Sequence, residues 1–145
     1  MHSKLLQESG GRVYAVIFDK GDDPVAGLTR FAQENRLAAS SFTAIGAFSE
    51  ATLGYFDWER KEYERIPVRE QCEVLSLLGD VTIEGEERKL HAHVVLGMRD
   101  GSARGGHLLG ARVRPTLEVV LTETPGHLCR RYDPESGISL IRVDR

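Results

Sequence analysis

The chain has 145 residues, of which 41% are hydrophobic and 28% are charged, and its formal net charge at pH 7 is −3. These values are ordinary for one globular domain, which we expect to span residues 1–145. The small negative charge argues against nucleic-acid binding driven by net charge, because phosphate contacts need clustered Lys and Arg.

The first half of the chain is predicted to hold strands and one helix. Residues 13–19 (VYAVIFD) are apolar on both faces, as in a central strand. Asp23 before Pro24 is typical of a helix N-cap followed by proline at the first helical position, and the apolar spacing after it predicts three to four helical turns. Residues 40–57 are predicted to form two strands separated by a glycine break.

The second half is predicted to consist of strands joined by turns. In CEVLSLLGDVTI (72–83), the side chains of Leu75, Leu77, Val81 and Ile83 are assigned to one face of a strand. KLHAHVVLG (89–97) is a strand, MRDGSARGG (98–106) a turn region, and RPTLEVVLTE (114–123) another strand. The whole pattern predicts an α+β fold: a mostly antiparallel β-sheet packed against one or two helices.

The cellular location is inferred from what the sequence lacks. No apolar run reaches the roughly 20 residues that span a bilayer, and the N-terminal residues do not resemble a secretory signal. Cys72 and Cys129 form neither a disulfide framework nor a CxxC motif. We therefore expect a cytoplasmic protein with reduced thiols, with Cys72 in the core and Cys129 exposed.

Three of the five histidines lie within residues 89–109 and form a candidate metal site. Alternation along a strand places His91 and His93 on one face, roughly 6.5–7 Å apart at Cα, while residues 90, 92, 94 and 96 face the core. His107 follows Gly105 and Gly106, and the glycine-rich turn is expected to fold it back beside that strand. His2 and His127 lack partners at metal-binding spacing and are expected in a flexible terminus and an exposed turn.

Three neutral imidazoles would make a borderline-soft nitrogen site. Zinc is the expected cofactor, with another divalent transition metal as the alternative. Three protein ligands leave a fourth coordination position open, as in catalytic rather than closed structural sites. The alternative is that these histidines are ordinary surface or hydrogen-bonding residues.

Glu118 is a candidate catalytic base. It alternates with Leu117 and Val119 in the LEVVL strand, and a carboxylate among apolar neighbours needs a partner. It could orient a ligand histidine or act as a base. A salt bridge to an arginine is the simpler explanation.

Four segments stand in the order and spacing of the PPC (plants-and-prokaryotes-conserved) domain, which the chain resembles. They are EVLSLLGDV (73–81), LHAHVVLG-x-x-DG (90–101), GGHLLGARV (105–113) and LEVVL (117–121). The resemblance implies an α+β fold, a homotrimer, and a metal site formed by the HxH and GGH histidines. In plants the domain follows an AT-hook, a short DNA-binding element, and members are often labelled DNA-binding. The nearest match here, residues 112–115 (RVRP), has valine where an AT-hook has glycine.

Three functions are open at this point. The first is a homotrimeric metal-binding protein with a role in assembly or regulation. The second is a DNA-binding regulatory protein that uses a local basic patch formed by Arg99, Arg104, Arg112 and Arg114. The third is a metal-dependent hydrolase or lyase with Glu118 as base. We favour the first and expect no membrane partner.

Overall fold

The computed structural model describes residues 1–143. Within them the chain forms one helix and nine strands. The elements are β1 (His2–Gln7), β2 (Arg12–Asp19), α1 (Pro24–Glu34), β3 (Ser40–Asp57), β4 (Glu62–Val68), β5 (Cys72–Glu84), β6 (Glu87–Gly97), β7 (Ala103–Glu123), β8 (Cys129–Asp133) and β9 (Ile138–Arg142).

All nine strands belong to one sheet, which is almost entirely antiparallel. Its main order is β1-β2-β7-β3-β5-β8-β9; β4 pairs with β3, and β6 pairs with both β5 and β7. The pairs β3–β5, β5–β6, β6–β7 and β7–β3 therefore form a closed path of four strands. The parallel pair is β5–β8, which makes the sheet mixed. The predicted antiparallel character is confirmed.

The helix forms as its sequence predicts. The Asp23 carboxylate caps its N-terminus by accepting a hydrogen bond of 3.0 Å from the Ala26 backbone N–H, and Pro24 begins the helix. Leu28 and Phe31 are at most 3% exposed and pack into the core. A second helix is not seen in residues 1–143, so the small helical content leaves most of the core to the sheet.

The core lies on the face of the sheet that α1 covers, and β6 alternates as predicted. Ala92, Val94 and Leu96 are buried, while His93 and Val95 face outward. Cys72 is buried and Cys129 is exposed, as expected, and burial raises the pKa of the Cys72 thiol. In the described part of the chain, no helix is both long and apolar enough to cross a membrane.

Two local predictions are wrong. Leu75 does not share a face with Leu77, because a β-bulge between Val74 and Ser76 shifts the register. Leu75 is consequently 56% exposed, while Leu77 is 1% exposed. His2 lies in a paired strand rather than a flexible terminus, and its Nε2 is 2.8 Å from an Asp19 carboxylate oxygen.

Candidate metal centre

The three histidines come together on two adjacent strands. His91 and His93 lie on β6, and His107 lies on β7 directly opposite His93 in the register. The turn between the strands is shorter than predicted, because β7 begins at Ala103 and the two glycines before His107 are inside it. A Cβ on Gly106 would be 2.7 Å from the carbonyl oxygen of Gly54, so the predicted close approach of the backbone is present, but within a strand.

The spacing of the imidazole nitrogens suits a single small cation. One ring nitrogen from each histidine lies within 4.8 Å of the other two, and the Nε2 atoms of His91 and His93 are 3.1 Å apart. Two nitrogens at 2.0–2.1 Å from a tetrahedral zinc ion are roughly 3.3 Å apart. The donor set therefore fits zinc, with small adjustments of side-chain rotamers.

The surroundings of His93 and His107 favour their neutral form, which is the form that binds metal. Burial lowers the pKa of His107 to about 4, and the neighbouring His93 and His91 contribute to the shift. The pKa of His93 is also lowered, chiefly because neighbouring side chains remove part of the water around its ring, and then by His91. At pH 7 both imidazoles therefore keep a lone pair for a metal without first losing a proton.

A partly buried ion pair lies behind His91. Asp80 is directly opposite His91 in the β5–β6 register, and its Oδ2 is 3.5 Å from His91 Nδ1. Arg130 of β8 donates from Nη2 to the other carboxylate oxygen at 2.9 Å, and from Nε to the Thr82 hydroxyl at 2.8 Å. Burial alone would raise the pKa of Asp80, but the hydrogen bonds from His91 and Arg130 lower it overall. Asp80 is thus a carboxylate placed to accept the Nδ1 proton of His91.

That proton decides whether His91 can bind metal through Nε2. Arg130 Nη2 also lies 3.3 Å from His91 Nδ1, and a hydrogen bond from Arg130 would require the opposite tautomer. Donation from Nδ1 to Asp80 leaves the Nε2 lone pair free. Carboxylate–histidine pairs of this kind fix the tautomer of metal ligands in many proteins.

Tyr63 of β4 lies against the third histidine. Its hydroxyl is 3.0 Å from His107 Nε2, and the two rings meet edge to face with centroids 4.5 Å apart. Burial raises the pKa of the Tyr63 hydroxyl, partly offset by Arg130, so the hydroxyl stays protonated and can donate. A metal bound through His107 Nε2 would take the place of this hydroxyl on the ring and free it for another acceptor.

The three histidines line a cavity of about 350 Å³. Its walls come from β3, β4, β5, β6, β7 and the β8–β9 hairpin, so distant parts of the chain meet there. The other lining residues are Phe56, Tyr63, Glu84, Lys89, Leu90, Arg130, Ile138, Ser139 and Leu140.

A model of the Plants and Prokaryotes Conserved (PCC) domain matches residues 6–125. The chain belongs to this family. The match includes all three histidines, Asp80 and Tyr63, whereas Arg130 and the β8–β9 hairpin lie beyond it. A search of curated proteins found no match.

Solved structures agree with this assignment over nearly the whole chain. A plant- and prokaryote-conserved (PPC) protein of Pyrococcus horikoshii is 29% identical, with a TM-score of 0.86 over 99% of this chain and 96% of its own. A protein of Archaeoglobus fulgidus named as metal-containing is 34% identical, with a TM-score of 0.85 over 97% and 99%. A Bacteroides thetaiotaomicron protein named as a candidate DNA-binding protein is 28% identical, with a TM-score of 0.88 over 99% of both chains.

The remaining predicted residues lie elsewhere on the PCC domain. Glu118 is exposed on β7 and lines a separate cavity with Ile45 and Leu75. It therefore needs no buried partner, and its role as a base stays a prediction that this position does not support. His127 is exposed, as expected.

The predicted arginine patch is interspersed with acidic groups. Arg112 is 3.7 Å from an Asp23 carboxylate oxygen and lies opposite Glu50 in the β3–β7 register. Arg99 and Arg104 line a shallow cavity that also contains Glu70 and Asp100. The carboxylates reduce the positive potential that these arginines would present to a phosphate backbone.

The sequence analysis missed Asp80, Tyr63 and Arg130. Asp80 carried a usable signal: counting back from the two-residue β5–β6 turn at Gly85 and Glu86 pairs residue 80 with residue 91. Tyr63 and Arg130 carried none, because their closeness to the histidines depends on the β3–β7 and β5–β8 pairings between segments distant along the chain.

Proposed function

We propose that this PCC-domain chain is a homotrimeric protein that binds one divalent transition metal, preferably zinc, through His91, His93 and His107. Its role would be in assembly or regulation. The convergence of three imidazole nitrogens within 4.8 Å is the observation that carries the proposal. The lowered pKa values and the Asp80 carboxylate behind His91 support it. Bound zinc would supply a Lewis-acidic centre with an open coordination position.

Two further observations agree with this proposal. The Archaeoglobus fulgidus relative is named as a metal-containing protein. The homotrimer is implied by the family resemblance, and exposed apolar side chains on the outer face of the sheet, such as Leu78 and Val120, offer a surface for a second copy.

The test is the metal content of protein purified without an affinity tag. Wild type is expected to hold close to one metal ion per chain, and His93→Ala to fall to background, because two imidazoles bind zinc far more weakly than three. His93 is exposed, so its loss should leave the fold intact. His127→Ala, an exposed histidine outside the site, is the matched control and should keep its metal. A wild-type protein that takes up no zinc even when zinc is added would refute the proposal.

DNA binding is the second candidate, and it rests on the names of relatives. The Bacteroides thetaiotaomicron protein and one from Ralstonia eutropha, 28% identical with a TM-score of 0.86, are both named as candidate DNA-binding proteins. If this chain binds DNA through Arg99, Arg104, Arg112 and Arg114, affinity should fall steeply with salt and drop when Arg104 and Arg114 are replaced by Ala. No binding to duplex DNA at low salt would exclude this function.

A further inference from the structure

We propose that the cavity beside the three histidines binds a small organic acid that has one carboxylate and a short apolar body. The carboxylate would face the metal and the Tyr63 hydroxyl, and the apolar body would lie against the β8–β9 hairpin. This inference rests on the proposed metal site and assigns that site a class of ligand.

The size and walls of the cavity indicate a small molecule with an apolar part. At about 350 Å³ the cavity is at the lower end of the range for small-molecule sites. Phe56 and Leu90 line one part of it, and Ile138 and Leu140 of the hairpin line another. Hydrated inorganic anions such as phosphate gain nothing from these side chains, whereas an alkyl chain of a few carbons would be removed from water against them.

The charges around the histidines favour an anionic head group. Three neutral imidazoles leave the double positive charge of a bound metal unbalanced among its protein ligands. The nearest carboxylate, Asp80, already pairs with Arg130 at 2.9 Å. Beside the cavity, Lys89 lies 2.6 Å from Glu87 and 3.8 Å from Glu84, so these three side chains add one net negative charge against the two positive charges of the metal. A monocarboxylate would thus meet a centre that keeps a net positive charge.

Tyr63 supplies a hydrogen-bond donor for the second carboxylate oxygen. Tyr63 lines the cavity, and its hydroxyl contacts His107 Nε2 at 3.0 Å, the atom that metal binding would occupy. The protonated hydroxyl is then without its histidine partner and can donate to an oxygen anion. Hydrogen bonds to charged acceptors are stronger than those between neutral groups.

The experiment is a titration of the Co²⁺-loaded protein, followed through the visible absorption bands of the metal. The probes are acetate, butyrate and n-butanol. Butyrate is expected to shift the bands and to bind roughly tenfold more tightly than acetate, because its two extra methylenes are buried. Butanol, which has the same carbon chain but no carboxylate, is expected to leave the bands unchanged.

Two variants test the two halves of the cavity. Leu140→Ser on the hairpin should reduce the preference for butyrate over acetate about threefold. Its matched control is Leu6→Ser, an exposed leucine on β1 outside the cavity, which should keep the full preference. Tyr63→Phe keeps the ring and should weaken the binding of both carboxylates about tenfold.

The outcomes separate this inference from the proposed function. If Co²⁺ binds but butyrate does not shift the bands, the ligand class is wrong and the metal site stands. Equal affinity for acetate and butyrate, or an unchanged preference in Leu140→Ser, would refute the role of the apolar wall. If no metal binds, both proposals are refuted together.

Discussion

Asp80 is a carboxylate placed to control His91, a proposed metal ligand, without binding the metal itself. It lies opposite His91 across β5 and β6 and is itself held by Arg130. Because the Nδ1–H of His91 must point at an acceptor for Nε2 to bind metal, the orientation of Asp80 sets the orientation and tautomer of the imidazole.

We expect Asp80→Asn to weaken zinc binding about tenfold, measured by competition with a chromophoric chelator. The amide can rotate to donate its NH₂ towards His91 Nδ1, which favours the tautomer that blocks metal binding. Glu118→Gln makes the same chemical change on an exposed part of β7 and should leave zinc affinity unaltered. Unchanged zinc affinity in Asp80→Asn would show that the carboxylate serves only to pair Arg130.

The low pKa of His107 has a consequence for the stability of the metal-free protein. Its pKa is about 4 in the folded chain, against an ordinary 6.5, so the unfolded chain binds more protons as the pH falls below 6.5. At pH 7 His107 is largely neutral in both the folded and the unfolded chain, so its low pKa costs little stability. The free energy of unfolding then decreases progressively as the pH falls towards 4. After discounting for partial exposure, the loss at pH 4.5 is about 1 kcal/mol.

Urea unfolding of metal-free protein at pH 7 and pH 4.5 measures this effect. Wild type should lose more free energy of unfolding between the two pH values than His107→Gln, since the carboxylates that also titrate are common to both. An identical loss in the two proteins would show that His107 is not responsible for the acid sensitivity.

Among the elements, β7 carries His107 to the site. Gly106 allows β7 to approach the backbone of Gly54 closely beside this histidine. A Cβ at this position would be 2.7 Å from the Gly54 carbonyl oxygen, a backbone atom that cannot rotate away. We expect Gly106→Ala to lower the free energy of unfolding by about 2 kcal/mol and to weaken metal binding, because β7 must shift beside His107.

Gly110→Ala is the matched control for that change. Gly110 lies on the same strand, and a Cβ there would meet no atom within 4 Å. The Gly110→Ala protein should have a free energy of unfolding and a metal affinity close to those of wild type. Equal effects of the two substitutions would contradict the steric explanation.

The strands also show what sequence periodicity can and cannot predict. Alternation in β6 correctly predicted which residues face the core, because a regular strand keeps its period of two. It failed at Leu75, because the β-bulge at Val74–Ser76 adds a residue and reverses the facing of the side chains. Bulges have no clear side-chain signature, so this inversion could only be seen in the structure.

The candidate site also contains residues that sequence patterns could predict and residues that they could not. His91 and His93 could be predicted because they share one face of one strand, and His107 because a short glycine-rich connection follows. Arg130 reaches the site through the pairing of β8 with β5. Tyr63 reaches it through the β3–β4 hairpin, whose β3 pairs with β7 far along the chain. Such non-local contacts depend on the closed path of strands, which local patterns did not reveal.

For the whole molecule, the outer face of the sheet is the feature left to explain. A single row of paired residues crosses four strands, from Val120 through Thr43 and Leu78 to His93. Val120 and Leu78 are 51% and 54% exposed, and Ile45, Leu75 and Val95 on the same four strands are also exposed. Contiguous exposed apolar residues usually mark a contact surface, and here the row ends at the proposed metal site.

We expect a second copy of this chain to cover that face, consistent with the proposed homotrimer. Light scattering coupled to size exclusion should give three times the chain mass for wild type, and Leu78→Asp combined with Val120→Asp should give monomers, because charges buried at the contact are not compensated. Leu6→Asp, an equally exposed leucine on β1, is the control and should remain trimeric. A trimer that survives both aspartates would place the contact on another face, and a wild-type monomer would refute the homotrimer itself.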